Sequence, residues 1–400
     1  MGGRLPGHTE GAALRIGVIG AGFIGAVHAH AARRARARVV GTVASSPAGT
    51  EQAVARLGAE RGFGSAEELA ISPDIDVVHI CTPNHLHRPL AEAAMAAGKH
   101  VICEKPLATS AAEADGLRAA ARTAGVVATV PFVYRFYPMV REARARVTGD
   151  FGPVRLVHGG YLQDWLSADT DDNWRVDADR SGPSRAFADI GSHWCDLVEF
   201  VTGDRLAAVF AELITAVPDR VTHGDDVYAF ESPGTTTGRK RTVTTEDIAI
   251  VMFRTERGVP GSLVVSQISS GHKNQLRFEI SGAVETIAFD QERPDTLWIG
   301  RRASAELLTR DAAHLHPAAA SYATVPPGHP QGYQECFDAF VADTYLAVAA
   351  GSIDGIDGLP TFVDGARAAR ITDAVLRSDA NRRWVDVTTD DAAEPKRSSP

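Results

Sequence analysis

The chain is short of the residues that would tie it to a disulfide scaffold, a membrane or a nucleic acid. Only four of its 400 residues are cysteine, and Cys81, Cys103, Cys195 and Cys336 lie far apart with no CxxC pair. That spacing excludes a disulfide framework and a thiolate zinc site, and it fits a reducing compartment. No apolar run is long enough to span a bilayer, and the first residues, MGGRLPGHTEGAAL, lack the apolar stretch of a secretory signal. Basic residues are outnumbered, 41 Lys+Arg against 50 Asp+Glu, for a net charge of −9. Neither a nucleic acid nor a membrane is therefore expected as partner, since both need a basic face. The one basic cluster, residues 33–38, falls where a helix should end and where cations suit the helix dipole. What remains is the composition of an ordinary cytoplasmic globular protein, 44% hydrophobic and 23% charged, long enough for two domains.

Residues 1–13 and 388–400 read as polar, disordered tails. From 14 to 130, β-branched runs at 14–19, 39–43, 77–81, 100–103 and 126–130 alternate with Ala-rich helical patterns such as 89–97 and 111–123. That alternation predicts a parallel sheet with helices, a Rossmann-type domain. From 131 to 387 the texture changes. One helical stretch, 190–201, precedes alternating runs at 207–216, 244–254, 261–269, 275–281, 285–290 and 296–299. Closing helices are expected at 333–350 and 363–377, giving an α+β domain with a large, mostly antiparallel open sheet. The stretch 232–242, SPGTTTGRKRT, reads as a polar exposed loop.

The first motif is Gly20-Ala21-Gly22-Phe23-Ile24-Gly25, a G-x-G-x-x-G between an apolar strand and an Ala-rich helix. In that setting Gly20 makes a tight turn, Gly22 lets the backbone approach a pyrophosphate and Gly25 lets helix pack on strand. The helix start then offers amides and a positive dipole end to phosphate. An NAD site usually places an acid at the end of the second strand, but here the strand ends Ala44-Ser45-Ser46 and the next acid is Glu51. Two small hydroxyls leave room for a 2′-phosphate, so the reading is NADP or NAD with a lean to NADP.

Two later strand ends carry polar residues, Thr82-Pro83-Asn84-His85 and Glu104-Lys105-Pro106. Ligands of open parallel sheets sit at such carboxyl ends, so these residues are candidate cofactor contacts and Lys105 can point its ammonium at a substrate oxygen. Further on, ADIGSHWCDL sets Asp189, His193 and Asp196 at i, i+4 and i+7, beside an apolar stripe that includes Trp194. Three uses are open: a metal site, an acid/base site or a structural network. With a dinucleotide cradle present no metal is required, and histidine is the natural group to take a hydroxyl proton near neutrality. On this reading His193 is the base, Asp189 orients it and Lys105 stabilises the alkoxide, or the order is reversed with Lys105 as the base; Asp196, one turn on, supports the others or is structural. Trp165, Trp174 and Tyr134 offer flat apolar faces, and Gln163, Asp164, Arg175 and His329 offer hydrogen-bonding groups.

GAGFIG, CTPNHLH, CEKP and ADIGSHWCDL, in this order and spacing, resemble the Gfo/Idh/MocA oxidoreductases over residues 14–378. The resemblance implies that Lys105, Asp189 and His193 form the catalytic group. YLQDWL (161–166), NWR (173–175), ERPDTLWIG (292–300) and PPGHPQGY (326–333) are similar to a bacterial branch acting on sugars and inositols. The branch implies Tyr134, Gln163 and Trp165 as substrate contacts, oxidation of a secondary alcohol, often at C3, and a homo-oligomer (dimer or tetramer) built through the open sheet. Departures are the 232–242 loop, longer than usual, and the missing acid or arginine after the second strand. Two alternatives stay open: a glycoside-cleaving enzyme that retains its cofactor, and a non-catalytic nucleotide sensor.

Overall fold

The computed structural model describes residues 13–222 and 238–388. The expected tails therefore lie outside the described residues but for 13 and 388, and so does most of the 232–242 stretch. The described end of that stretch is not loop: Arg239–Thr242 is a strand paired with Asp219–Thr222.

Six parallel strands form the first sheet, in the order Arg61–Gly62, Arg38–Val43, Arg15–Ile19, Val77–Ile80, His100–Cys103 and Ala128–Thr129. The order reverses between Arg15–Ile19 and Val77–Ile80, which opens a crevice at the carboxyl ends of the strands. Local chemistry sets the helix limits. Ser46 accepts from Gly49 N and opens the helix Pro47–Leu57, which stops at Gly58 with φ +60°. Ser110 does the same for Ala111–Ala124, which stops at Gly125 with φ +64°. Each such serine cap is worth about 1 kcal/mol.

The second sheet has nine strands. In spatial order they are Ala305–Thr309, Thr296–Gly300, Thr286–Asp290, Gln275–Ser281, Leu156–Leu162, Pro260–Ser266, Ile248–Thr255, Leu206–Ile214 and Val385–Asp386. All pairs are antiparallel except Leu156–Leu162 with Pro260–Ser266. Leu156–Leu162 sits mid-sheet and was not anticipated, because Gly159 and Gly160 interrupt its alternation. A side chain at Gly159 would collide with the Arg277 carbonyl and the Trp194 ring. Trp194 fills that space, fully buried, and its Nε1 donates to Arg277 O at 2.9 Å. It is a core residue, as its place on the apolar stripe predicted. The opposite face leaves Ile250, Met252, Val264, Trp298 and Leu307 exposed.

The 190–201 helix is also longer and less regular than the pattern suggested. A π-helical turn, Phe187–Gly191, leads into the α-helix Ser192–Thr202. The Glu246 carboxylate accepts from Arg185 N, Phe187 N and Ser184 Oγ at the start of this turn. Glu246 is therefore not part of the 244–254 strand that alternation predicted; the strand begins at Ile248.

Candidate active site

Lys105, at the carboxyl end of its strand, reaches across to the π-helical turn. Its Nζ donates to Asp189 Oδ1 at 2.7 Å and to the Asp189 carbonyl at 2.8 Å, and both side chains are about one-eighth exposed, 12% each. The Lys105–Pro106 peptide is cis. Asp189 takes two further donors: Arg175 Nε at 3.3 Å on Oδ1 and Gln267 Nε2 at 2.8 Å on Oδ2. Burial works to raise its pKa, but the Lys105 ammonium and the Arg175 guanidinium outweigh it and hold the carboxyl well below the usual range.

His193 is buried against aromatic edges, with ring centroids 4.9 Å from Tyr134 and 5.6 Å from Phe132. Burial, then the nearby Lys105 ammonium, push its pKa well below the ordinary histidine value, with Asp189 opposing. The imidazole is therefore neutral near pH 7, and its Nδ1 is buried without a hydrogen-bond partner. The Asp189 carboxylate is engaged by Lys105, Arg175 and Gln267, and among the described residues it makes no hydrogen bond to His193.

Asp196 belongs to another network. Arg135 donates to both its oxygens and to Asp364, while burial pushes the Asp196 carboxyl up to about 7 against the pull of Arg135. The two carboxylates thus answer to different cations. Among the described residues no cluster of His, Cys, Asp or Glu is placed to hold a metal ion.

The glycine turn has the shape a dinucleotide needs. Gly20 sits at φ +97°, where a side chain would strike the Cys81 carbonyl, and a side chain at Gly25 would strike the Gly20 carbonyl. A Cβ at Gly22 would meet no heavy atom within 4 Å. No side chain caps the helix Phe23–Arg34, which starts directly after the turn. Phe23 is half-exposed and Ile24 partly buried beside it. Thr82 Oγ1 is buried without a partner at the neighbouring strand end. These features fit a pyrophosphate-bearing cofactor. Gly22→Ala separates ligand from fold: the apoprotein should melt at the wild-type temperature, while a dinucleotide titration should show affinity lowered by about tenfold or more. Unchanged affinity would remove the cofactor from this turn.

Other candidates are placed differently. Ser45 is exposed, and the Ser46 hydroxyl caps a helix. Asn84 Nδ2 donates to Ser181 O at 2.8 Å and His85 Nδ1 lies 3.3 Å from Arg180 O, so both clasp the helix Ala178–Ser181. Pro83 precedes the single turn Asn84–Leu86. The Glu104 carboxylate is taken up by His28 and by its own neighbour's amide. Tyr134 is buried, its hydroxyl bonded to Tyr161 and Asn274. Gln163 is buried too, donating to Asn274 Oδ1 at 2.7 Å and accepting from Trp165 Nε1 at 2.9 Å. Arg175 stacks over Trp174 with 4.5 Å to the ring centre. Asp164 pairs with Lys273, and His329 is exposed, its backbone oxygen accepting from Arg310. Sequence reasoning missed Gln267 and Asn274. Neither lies in a recognisable motif, and both act through folding alone.

A family model described as oxidoreductase family, NAD-binding Rossmann fold, matches residues 14–132, and a GFO/IDH/MocA C-terminal domain matches residues 140–288. Levoglucosan dehydrogenase of Pseudarthrobacter phenanthrenivorans is 34% identical over 94% of this chain and 98% of its own length. Inositol 2-dehydrogenase of Rhizobium meliloti is 26% identical over 94% of this chain and 99% of its own. A solved levoglucosan dehydrogenase, in complex with NADH and L-sorbose, superposes with a TM-score of 0.84 at 31% identity, over 94% of this chain and 99% of that one. No described helix is long and apolar enough to cross a membrane.

Proposed function

Because the chain belongs to the Gfo/Idh/MocA family of NAD(P)-dependent oxidoreductases, we propose that it oxidises a secondary alcohol of a sugar, glycoside, anhydrosugar or cyclitol. C3 is the first carbon to test. The observation that carries this reading is the Lys105 ammonium, held by Asp189, beside a neutral His193. Oxidation of an alcohol removes a hydroxyl proton as the C–H bond gives up its hydride. A bound nicotinamide supplies the hydride acceptor. His193, uncharged and shielded by aromatics, takes the hydroxyl proton. Lys105 donates to the same substrate oxygen and stabilises negative charge there, which counts for more in a site closed to water. Asp189 aims the ammonium, while Arg175 and Gln267 keep Asp189 in place. Arg175 on Trp174, with Trp165 near, offers a flat polar-edged surface to a ring hydroxyl.

The cofactor is NADP or NAD. Exposed Ser45 and Ser46 leave a 2′-phosphate unopposed, while the solved relative holds NADH. The reading further includes a boundary near residue 130 between cofactor and substrate domains, a cytoplasmic location, and a homo-oligomer through the second sheet. Ile250, Met252, Val264, Trp298 and Leu307 on that sheet's outer face support the last point. A panel of levoglucosan, myo-inositol and D-glucose with NAD and with NADP, followed by nicotinamide absorbance, tests the function. Reduced nicotinamide should accumulate. Glycoside cleavage without net reduction, or binding without turnover on any sugar, would overturn it.

The pH profile is a separate check. A lowered histidine pKa means the neutral imidazole persists below the ordinary value of 6.5. Alcohol oxidation should therefore keep its kcat/KM down to pH 6.5 and decline only at lower pH. An acid limb at or above 6.5 would contradict the burial of this base.

A further inference from the structure

Four buried polar side chains form a chain that ends beside Lys105. They are Tyr345 on the helix Tyr333–Ala350, His79 in the strand Val77–Ile80, His28 on the helix Phe23–Arg34 and Glu104 at its strand end; each is under one-tenth exposed. Tyr345 Oη lies 2.9 Å from His79 Nε2, His79 Nδ1 lies 3.0 Å from His28 Nδ1, and His28 Nε2 lies 3.1 Å from Glu104 Oε1. Glu104 Oε2 then accepts the Lys105 backbone amide at 3.1 Å. The chemistry above uses none of Tyr345, His79 or His28, yet burying them is costly unless every donor finds an acceptor.

One direction satisfies them all. Only a single hydrogen fits between the two Nδ1 atoms. If Tyr345 donates to His79 Nε2, the His79 proton sits on Nδ1 and is donated to His28 Nδ1. The His28 proton is then on Nε2 and goes to the Glu104 carboxylate. The opposite direction requires a proton on Glu104 or a second one on His28, and it leaves the Tyr345 hydroxyl hydrogen without an acceptor in the chain. Burial raises the Tyr345 hydroxyl pKa and depresses that of His79, so the first keeps its proton and the second stays neutral. Glu104 resists burial, because His28 and Lys105 face it, and stays below the usual carboxylate range.

We propose that Tyr345, His79 and His28 are positioning residues for Lys105. They orient the Glu104 carboxylate, whose second oxygen holds the Lys105 amide and so sets where the ammonium stem begins. The inference rests on the role of Lys105 proposed above. It also ties the site to the helix Tyr333–Ala350, far along the chain.

Glu104→Gln and Tyr345→Phe test it without removing bulk. In Glu104→Gln the amide can donate to His28 and still accept from Lys105, which keeps the bonds but reverses the chain, so that Tyr345 becomes its terminal acceptor. Tyr345→Phe then leaves a bare acceptor in the wild-type background and a bare N–H in Glu104→Gln, and the second costs more. Steady-state kinetics would use the best panel alcohol, unlabelled and deuterated at the reacting carbon, with NAD+ binding and melting measured alongside. Glu104→Gln should lower kcat by about tenfold, because a neutral amide oxygen holds the Lys105 N–H less firmly than a carboxylate does, and Tyr345→Phe by a few fold. KM and NAD+ affinity should stay within about twofold, while the deuterium effect on kcat rises because the hydride step has slowed. The double variant should lose more than the product of the singles.

Wild-type kcat in both single variants would overturn the inference. So would a lower kcat that returns to the wild-type value once rates are divided by the NAD+-binding sites titrated in each variant, which marks a loss of folded enzyme only. Should Glu104→Gln not fold, the isotope effect of Tyr345→Phe decides alone. Lys105→Met separates the two layers: if it retains turnover, the role of Lys105 itself falls. If it is inactive while the chain variants are normal, only the positioning role falls.

Discussion

Lys105→Met should reduce kcat by about 10²–10³-fold, the range for loss of one preorganised donor to a developing oxyanion. Methionine keeps the unbranched stem and removes the charge. In the native protein Nζ satisfies two oxygens of Asp189, the carbonyl and Oδ1. Without it the carboxylate keeps Arg175 at 3.3 Å and Gln267 at 2.8 Å. Breaking a buried pair in this way costs up to about 3–5 kcal/mol when nothing compensates; two remaining donors should hold the loss below that. Melting should therefore fall by only a few degrees while turnover falls by orders of magnitude. Stopped-flow binding of NAD+ should be little changed, since the glycine turn is untouched. Wild-type turnover would remove Lys105 from the reaction.

His193→Asn should lower kcat/KM for alcohol oxidation by roughly 10²–10⁴-fold, the usual span for a general base. Asparagine retains a polar end but cannot take up a proton. The acid limb described above should vanish in this variant, because the group that titrates is gone. That second readout distinguishes the histidine from Lys105: in Lys105→Met the limb should persist, shifted upward, since the ammonium no longer disfavours imidazolium. A limb that survives in His193→Asn would assign the proton to another group.

Much of this was legible in the order of residues. Gly20, Gly22 and Gly25 lie within one turn, so their backbone demands follow from neighbours a few positions away: a side chain would collide at Gly20 and Gly25 and would meet nothing at Gly22. Strands such as 100–103 and helices such as 333–350 were readable for the same reason, since periodicity is a local signal. Legibility failed where glycine masks a strand, as at Leu156–Leu162, whose fit depends on Trp194 and Arg277 from elsewhere in the chain. It failed again at the π turn, because the extra residue in the winding is stabilised by Glu246, some sixty positions on.

The sequence by itself determined the dinucleotide turn, the two sheets and the candidates Lys105, Asp189 and His193. Only the tertiary structure decided their partners: that Asp189 grips Lys105 across 84 positions, that Asp196 serves Arg135, and that Gln163 and Tyr134 are engaged by Asn274. The reason is physical. Turn chemistry and periodicity depend on adjacent residues. Which cation meets which buried carboxylate depends on a distance of about 3 Å between segments that only the packed core brings together.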